Sequence, residues 1–478
     1  MLLYENLANE FSVLIAEGRI QPGDRLPSVR HLSQQRQLSV STVVQALRTL
    51  ESRGMVEARP QSGYYVRHRH GRLLDSMPTR PPVRPVEVGV SKRLVEILHC
   101  NELPGITPLG SALPAPELLL APQLSRLYAR LARKYPKLLA SGSCDQLNEN
   151  ALVTAIVHRS LEWGCAIASE EIVVTNSCTE AIALCLRAVT RPGDTVAVES
   201  PTYYVMLQLL ESMGLRALEI PTHPLTGISP EALELATRER TIAACLLVPN
   251  GANPLGCIMP DTHKQRIAAL LATRNIPLIE DDIYGDICFT KARPRPIHAF
   301  DQSGNTLLCT SFSKTISPAL RVGFVAAGRR VANIVLQKTL NSGKTNPLSQ
   351  RVIAELMDTR GFDAHLRKLR RRFAEQVART RDAAMRYLPA ETRISDPQGG
   401  FVLWLEMPRD IDTFTLHRRA IKESIAFVPG EMFSASGQYR NCLRLACGHP
   451  WKDETGTALQ RLGRLVAASV LPPIDPRP

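Results

Sequence analysis

Lys314 stands in "TSFSKTISPALRVG", residues 310–323, with Ser311 and Ser313 just before it and Arg321 seven residues on. A lysine anchors a carbonyl ligand when its amine is held in place and can lose its proton, because only the neutral amine adds to a carbonyl. Two hydroxyls and a guanidinium beside it offer the donors that a phosphate accepts from. The combination suits a ligand that carries both an aldehyde and a phosphate. A lone lysine is ordinarily a surface residue, so the reading depends on its company.

Five further fragments supply that company. "IEDDIYGD" offers Asp281 and Tyr284: a carboxylate keeps an electron-sink pyridine protonated, and a phenol three residues on reaches the ring's phenolic oxygen. "VPNGANPLG" brings the Asn253 amide, a second donor for that oxygen. "TNSCTEAIAL" puts Ser177, Cys178 and Thr179 at the start of a helix, where free N–H groups and the dipole favour a phosphate. "ESPTYYVM" supplies Tyr203, a flat face for a ring. "NCLRLACG" sets Arg444 in an apolar run, where a charge is costly unless it meets an anion such as a carboxylate. Taken singly, each has a plainer reading. Asp281 and Asp282 end a strand, and Asn-Pro opens a turn.

The elements that must position these residues are legible in the periodicity. From residue 91 on, β-branched runs ("EIVVT", "DTVAVES", "IAACLLVP", "IPLIEDD", "TLLCTSF") alternate with amphipathic helices ("TEAIALCLRAV", "YYVMLQLLESMG", "HKQRIAALLATRN"). That alternation predicts a parallel sheet covered by helices, which binds ligands beyond the carboxyl ends of its strands. Several of the candidate residues follow those strands.

The order and spacing of these fragments resemble the fold type I, pyridoxal-phosphate-dependent aminotransferases over about residues 105–470, with "SFSKTISPALRVG" and "NPLG" the most specific. The resemblance implies an α/β domain with a large mixed, mostly parallel sheet and a small C-terminal α+β subdomain. It implies pyridoxal 5'-phosphate bound to Lys314, Asp281 at the ring nitrogen, and Asn253 and Tyr284 at the phenolic oxygen. Tyr203 would stack on the ring. Ser177, Cys178, Thr179, Ser311, Ser313 and Arg321 would hold the phosphate, and Arg444 the ligand carboxylate. Where such proteins usually carry a tyrosine and a glycine ahead of a Leu-Arg pair, this chain reads "SGSCDQLNENALVTAIV". It has no tyrosine there, Asn148 falls near the glycine position and Val153 near the arginine position.

The first seventy residues follow another pattern. "YENLANEFSVLIAE" places Leu7, Phe11, Leu14 and Ile15 at helical spacing. Ser28 caps a second helix, Ser39 or Ser41 a third, and "MVEARP" with "GYYVRH" reads as two short strands. Three helices and a hairpin predict a winged helix-turn-helix of α+β class. "GRIQPGDRLPSVRHLS" and "SGYYV" resemble the GntR family of DNA-binding regulators. The resemblance puts the Ser39–Arg48 helix in the major groove and the Gly63–Tyr64 wing near the minor groove. Arg30, Ser39, Ser41, Thr42 and Arg48 become DNA contacts, mostly to phosphates. Many relatives have arginine after the first serine, where this chain has Val40.

A GntR-type head on an aminotransferase-like body resembles the MocR subfamily of bacterial regulators. The expected layout is a head over 1–70, a proline-rich linker over 71–95, either an extended spacer or a loop packed on the larger domain, and a pyridoxal-phosphate-binding body over 96–475. The expected function is a homodimeric regulator that binds a double-stranded DNA operator and senses an amino acid or amine by aldimine exchange at Lys314. An active aminotransferase that retains a DNA-binding domain is the second reading.

Bulk composition fits two or more domains, since 478 residues exceed one ordinary core. The net charge of +13 identifies no partner, because residues 1–72 hold ten Arg against six acidic residues and the remaining excess is spread along the body. Eleven scattered cysteines without a Cys-x-x-Cys pair suggest a reducing cytosol, with neither disulfide framework nor metal site. An N-terminus without an apolar core, and no long apolar run, point to a cytoplasmic protein outside the membrane.

Overall fold

The computed structural model describes residues 3–16, 20, 24–52, 55–59, 62–66, 73–74, 84–90, 95, 97, 100, 104–140, 146–239 and 241–470. The head consists of helices Leu3–Ala16, Val29–Arg36 and Val40–Ser52, followed by the antiparallel strands Val56–Arg59 and Gly63–Val66. The helix starts are fixed by hydroxyls: Ser28 Oγ accepts from the His31 N–H at 3.3 Å, and Ser39 Oγ from the Thr42 N–H at 3.1 Å. Leu7, Phe11, Ile15, Val43, Ala46, Leu47 and Leu50 are buried in one cluster with Leu26, Leu32, Val56 and Val66, while Leu14 is only partly covered. Each fully buried leucine there contributes about 1.5–3 kcal/mol.

Parts of the segment expected to be a spacer lie against the body. Val86–Glu87 pairs with the strand Arg216–His223, and Leu74 and Val90 are buried in the body's core. The Leu74 N–H donates to the Ile394 carbonyl, and the Val90 N–H to Glu211 at 2.8 Å. Residues 71–72, 75–83 and 91–94 fall outside the described residues.

The body is built on a nine-stranded mixed sheet. Its centre is five parallel strands in the order Arg216–His223, Thr195–Ser200, Ala244–Leu247, Leu278–Asp281 and Thr306–Ser311. Gly323–Ala326 extends it antiparallel, and Ile172–Thr175, antiparallel to Gly323–Ala326, returns to the direction of the central strands. All six residues of Thr195–Ser200 and of Thr306–Ser311 are buried, as continuous β-branched runs demand when helices cover both faces. A second unit follows: an antiparallel sheet of Arg393–Ile394, Val402–Glu406, Cys442–Ala446 and Val428–Pro429, packed with helices Arg360–Tyr387, Thr413–Lys422 and Asp453–Val470. The sheet plan and the small C-terminal subdomain agree with the sequence reading. Arg216–His223 and the antiparallel Gly323–Ala326 were not anticipated. The latter is only four residues long, too short to carry a period of its own. Among the described residues, no helix is long and apolar enough to cross a membrane.

Candidate cofactor and effector site

The strands that bear the candidate residues present their carboxyl ends at one edge of the sheet. Asp281 closes Leu278–Asp281 and Ser311 closes Thr306–Ser311, with Asp281 in register beside Cys309. Asn253 lies in the turn after Ala244–Leu247, and Tyr203 three residues after Thr195–Ser200. The helix Cys178–Val189 starts at the same edge, with Ser177 Oγ accepting from the Glu180 N–H at 3.1 Å. Gly323 lets strand and helix approach: a Cβ there would sit 2.6 Å from the Thr310 carbonyl oxygen and 2.7 Å from the Ser177 carbonyl carbon.

These elements enclose a cavity of about 200 Å³. Its walls include Ser177, Cys178, Thr179, Tyr203, Asn253, Asp281, Tyr284, Ser311, Ser313, Lys314 and Arg321, so all eleven residues nominated for the cofactor converge there. Of these eleven, Thr179 and Arg321 are exposed, Arg321 at a positive φ of 51°. Ser311 Oγ donates to Ser313 Oγ at 3.2 Å.

Lys314 Nζ donates to the Ala112 carbonyl at 2.7 Å and lies 5.9 Å from the centre of the Phe401 ring. Burial, helped by the Arg444 and Arg321 charges and opposed by Asp281, lowers its amine to about 8. Asp281 accepts from Cys178 Sγ at 3.2 Å and from the Ile283 N–H at 3.1 Å, yet burial still pushes its carboxyl up to about 6. Burial also raises the Tyr284 phenol, which is hydrogen-bonded to Asn253. The site thus holds a lysine with an accessible neutral form, a carboxylate deep in the wall, and a rim of hydroxyls beside a helix N-terminus and an arginine. An aldehyde-bearing phosphorylated pyridine fits that donor set.

Arg444 is fully buried and stands behind the cavity wall rather than in it. Its guanidinium donates to the Gly110 carbonyl and, at 3.4 Å, to Asn253 Oδ1, and lies 5.7 Å and 5.5 Å from the ring centres of Tyr204 and Phe433. Its Nε has no hydrogen-bond partner, and a buried unsatisfied donor on a charged group costs more than about 1–3 kcal/mol until an acceptor arrives.

Sequence reasoning missed the segment 110–113, which brings the Gly110 and Ala112 carbonyls to the two cations and Leu113 to the cavity. It works through main-chain oxygens and an apolar side chain, so residue types carry no signal. The apolar wall of Ile182, Val205, Met206, Leu209 and Val248 was also missed. In the divergent stretch, residues 141–145 and the side chains of 146–150, Asn148 among them, lie outside the described residues. Val153 lines a different cavity of about 740 Å³.

On the head, Arg30, Ser39, Ser41 and Arg48 are exposed, with Val40 between the serines at 53% exposure. Ser39 Oγ lies 2.8 Å from Ser41 Oγ and 2.7 Å from Thr42 Oγ1. Gly63 takes φ of 108°, a region that favours glycine, with the Arg25 side chain against it. Tyr64 is partly buried against the head's core.

Comparison with known proteins agrees with both halves. The family "Aminotransferase class I and II" matches residues 139–462, and "Bacterial regulatory proteins, gntR family" matches residues 3–66. An uncharacterised HTH-type transcriptional regulator of Escherichia coli K12, YjiR, is 38% identical over 98% of this chain and 99% of its own length. The 2-aminoadipate transaminase of Thermus thermophilus is 29% identical over 77% of this chain and 92% of its own. A crystal structure of LysN, the alpha-aminoadipate aminotransferase of that organism, complexed with N-(5'-phosphopyridoxyl)-L-leucine, superimposes with a TM-score of 0.72 at 28% identity, covering 79% of this chain and 95% of that one. The chain belongs to the gntR-type transcriptional regulators that carry an aminotransferase class I and II domain, the MocR subfamily.

Proposed function

We propose that this regulator grips a double-stranded DNA operator with its head while Lys314, with pyridoxal 5'-phosphate in place, senses an amino acid or amine. Lys314 would hold the cofactor's carbonyl carbon and Asp281 its ring nitrogen, with Asn253 and Tyr284 at the phenolic oxygen and Tyr203 on the ring face. Ser177, Cys178, Thr179, Ser311, Ser313 and Arg321 would take the phosphate. When bound, the cofactor supplies an electrophilic carbonyl on an electron-withdrawing ring.

The protein's own groups suit that role. An amine held at about 8 leaves a usable neutral share near neutral pH, and a carboxyl at about 6 is mostly anionic there, so it keeps a proton on a facing nitrogen. An arriving amine competes with Lys314. A carboxylate on the same molecule would satisfy Arg444 Nε, which no protein group engages. The heads' DNA affinity then shifts by no more than the effector's preference for one arrangement. As a cytoplasmic homodimer, the chain would present two heads to paired half-sites through Arg30, Ser39, Ser41, Thr42, Arg48 and the Gly63–Tyr64 wing.

One observation carries the reading: residues nominated from separate stretches line a single cavity in a chain that opens with a winged helix. Borohydride reduction of the cofactor-loaded protein, followed by peptide mass spectrometry, tests it. The adduct is expected on Lys314, and an amino-acid panel should yield at least one spectral shift. An adduct elsewhere, or none, contradicts the reading. Multiple turnovers of amino transfer with no effect on DNA binding would favour an enzyme instead.

A further inference from the structure

Behind the cavity wall, on the face of the sheet opposite Asp281, lies a buried chain of polar groups that the sensing chemistry does not use. Asn250 is fully buried, and both ends of its amide are engaged. Its Nδ2 donates to Asp282 Oδ1 at 2.8 Å, and its Oδ1 accepts from Lys264 Nζ at 2.8 Å. Lys264, also fully buried, donates in addition to the Arg295 carbonyl at 2.6 Å. Asp282 continues the chain to the Arg293 guanidinium, which reaches Asp286 at 2.8 Å and lies over the Trp163 ring. Glu280 faces the same side, accepting from the N–H groups of Ile297 and His298, and Asp261 stands 3.8 Å from Lys264 Nζ.

The chain joins three segments that each carry a cofactor residue. Asn250 opens the turn that presents Asn253, and that turn closes on itself through Gly251 N–H to Cys257 O. Asp282 follows Asp281 directly. It is also bound to the strand that leads to Ser311 and Lys314: its N–H donates to Cys309 O, and its carbonyl accepts from Thr310 Oγ1 at 3.2 Å. Two buried charges facing one amide tolerate little displacement, because a lost partner leaves an uncompensated ion in the interior.

We infer that Asn250, clamped between Lys264 and Asp282, is a positioning residue that holds the Asn253 turn at a set distance from the Asp281 and Lys314 strands. The inference rests on the cofactor reading above. Asn253 would donate to the cofactor's phenolic oxygen, and a donor that favours the ionised oxygen lowers the pH at which the neighbouring nitrogen sheds its proton. Loosening the clamp therefore raises that pH.

The test is a pH titration of the visible absorbance of cofactor-loaded Asn250→Ala, beside wild type and a Leu271→Ala control, whose side chain is buried in a separate cluster on the Lys264 helix. Asn250→Ala should move the midpoint up by ~0.5–1 pH unit and weaken cofactor retention. The control should lose melting temperature with no shift in the midpoint. If Asn250→Ala does not fold, Asp282→Asn, which keeps an acceptor oxygen but loses the charge, should give a smaller shift in the same direction. A midpoint within ~0.2 unit of wild type in a folded Asn250 or Asp282 variant, or an equal shift in the control, overturns the inference alone. A wild-type protein with no titrating band overturns the cofactor reading and this inference together.

Discussion

Replacing Lys314 by methionine should stabilise the cofactor-free protein at neutral pH. The amine is lowered from its ordinary 10.5 to about 8, chiefly because burial penalises the cation. A folded-state value below the unfolded one means that the stability tied to this group is intact above pH 10.5 and is lost as pH falls through about 8. At pH 7 the full 2.5-unit difference corresponds to about 3 kcal/mol of destabilisation. Lys314 is only half-buried by its accessible surface, and solvent at the mouth reduces this to about 2 kcal/mol. Methionine keeps the stem and removes the charge but strands the Ala112 carbonyl, a loss of about 0.5–1.5 kcal/mol. The net gain is about 1 kcal/mol, a rise of about 1–2 °C in melting temperature for a body of this size. Differential scanning calorimetry of cofactor-free wild type and variant, in parallel at pH 7 and pH 10, reads the difference directly. The advantage should shrink or reverse at pH 10. A variant less stable than wild type at pH 7, with a gap that does not depend on pH, refutes the reasoning.

Other perturbations have equally definite outcomes. Gly323→Ala would drive a methyl group to 2.6 Å from the Thr310 oxygen, so stability should fall by about 1–3 kcal/mol and cofactor retention with it, as measured by melting and dialysis. Arg444→Lys removes the unpartnered Nε and the planar fork; spectral titrations should show weaker responses to amino acids, with responses to amines that lack a carboxylate unchanged. Arg30→Ala should weaken binding to specific and unrelated DNA alike and lower the slope of log affinity against log salt by about 0.9 in electrophoretic or anisotropy titrations.

Which features could be read in advance follows from where the information sits. The Lys314, Asp281 and Asn253 fragments were legible because each joins a reactive residue to a strand end, and strand ends in a parallel sheet converge on one edge. The three-helix head was legible because its hydrophobic spacing and serine caps are local signals. The 110–113 carbonyls were not, since any residue supplies a carbonyl and only tertiary contact puts it against Lys314 and Arg444. The Asn250 clamp was equally hidden. Lys264 looks like one more cation on an amphipathic helix, and only the fold makes it fully buried. Part of the proline-rich stretch pairs with the sheet edge at Val86–Glu87 because its β-branched residues meet an open strand, a partner that composition alone cannot name.

The coupling of the two halves is the central claim, and one titration addresses it. Operator affinity of the cofactor-loaded protein is measured with and without an amino acid that shifts its absorbance, in wild type and in Lys314→Ala. The account predicts a change of about 5-fold or more in wild type and none in the variant, whose basal DNA binding persists. A clear absorbance shift with unaltered operator affinity in wild type would contradict it.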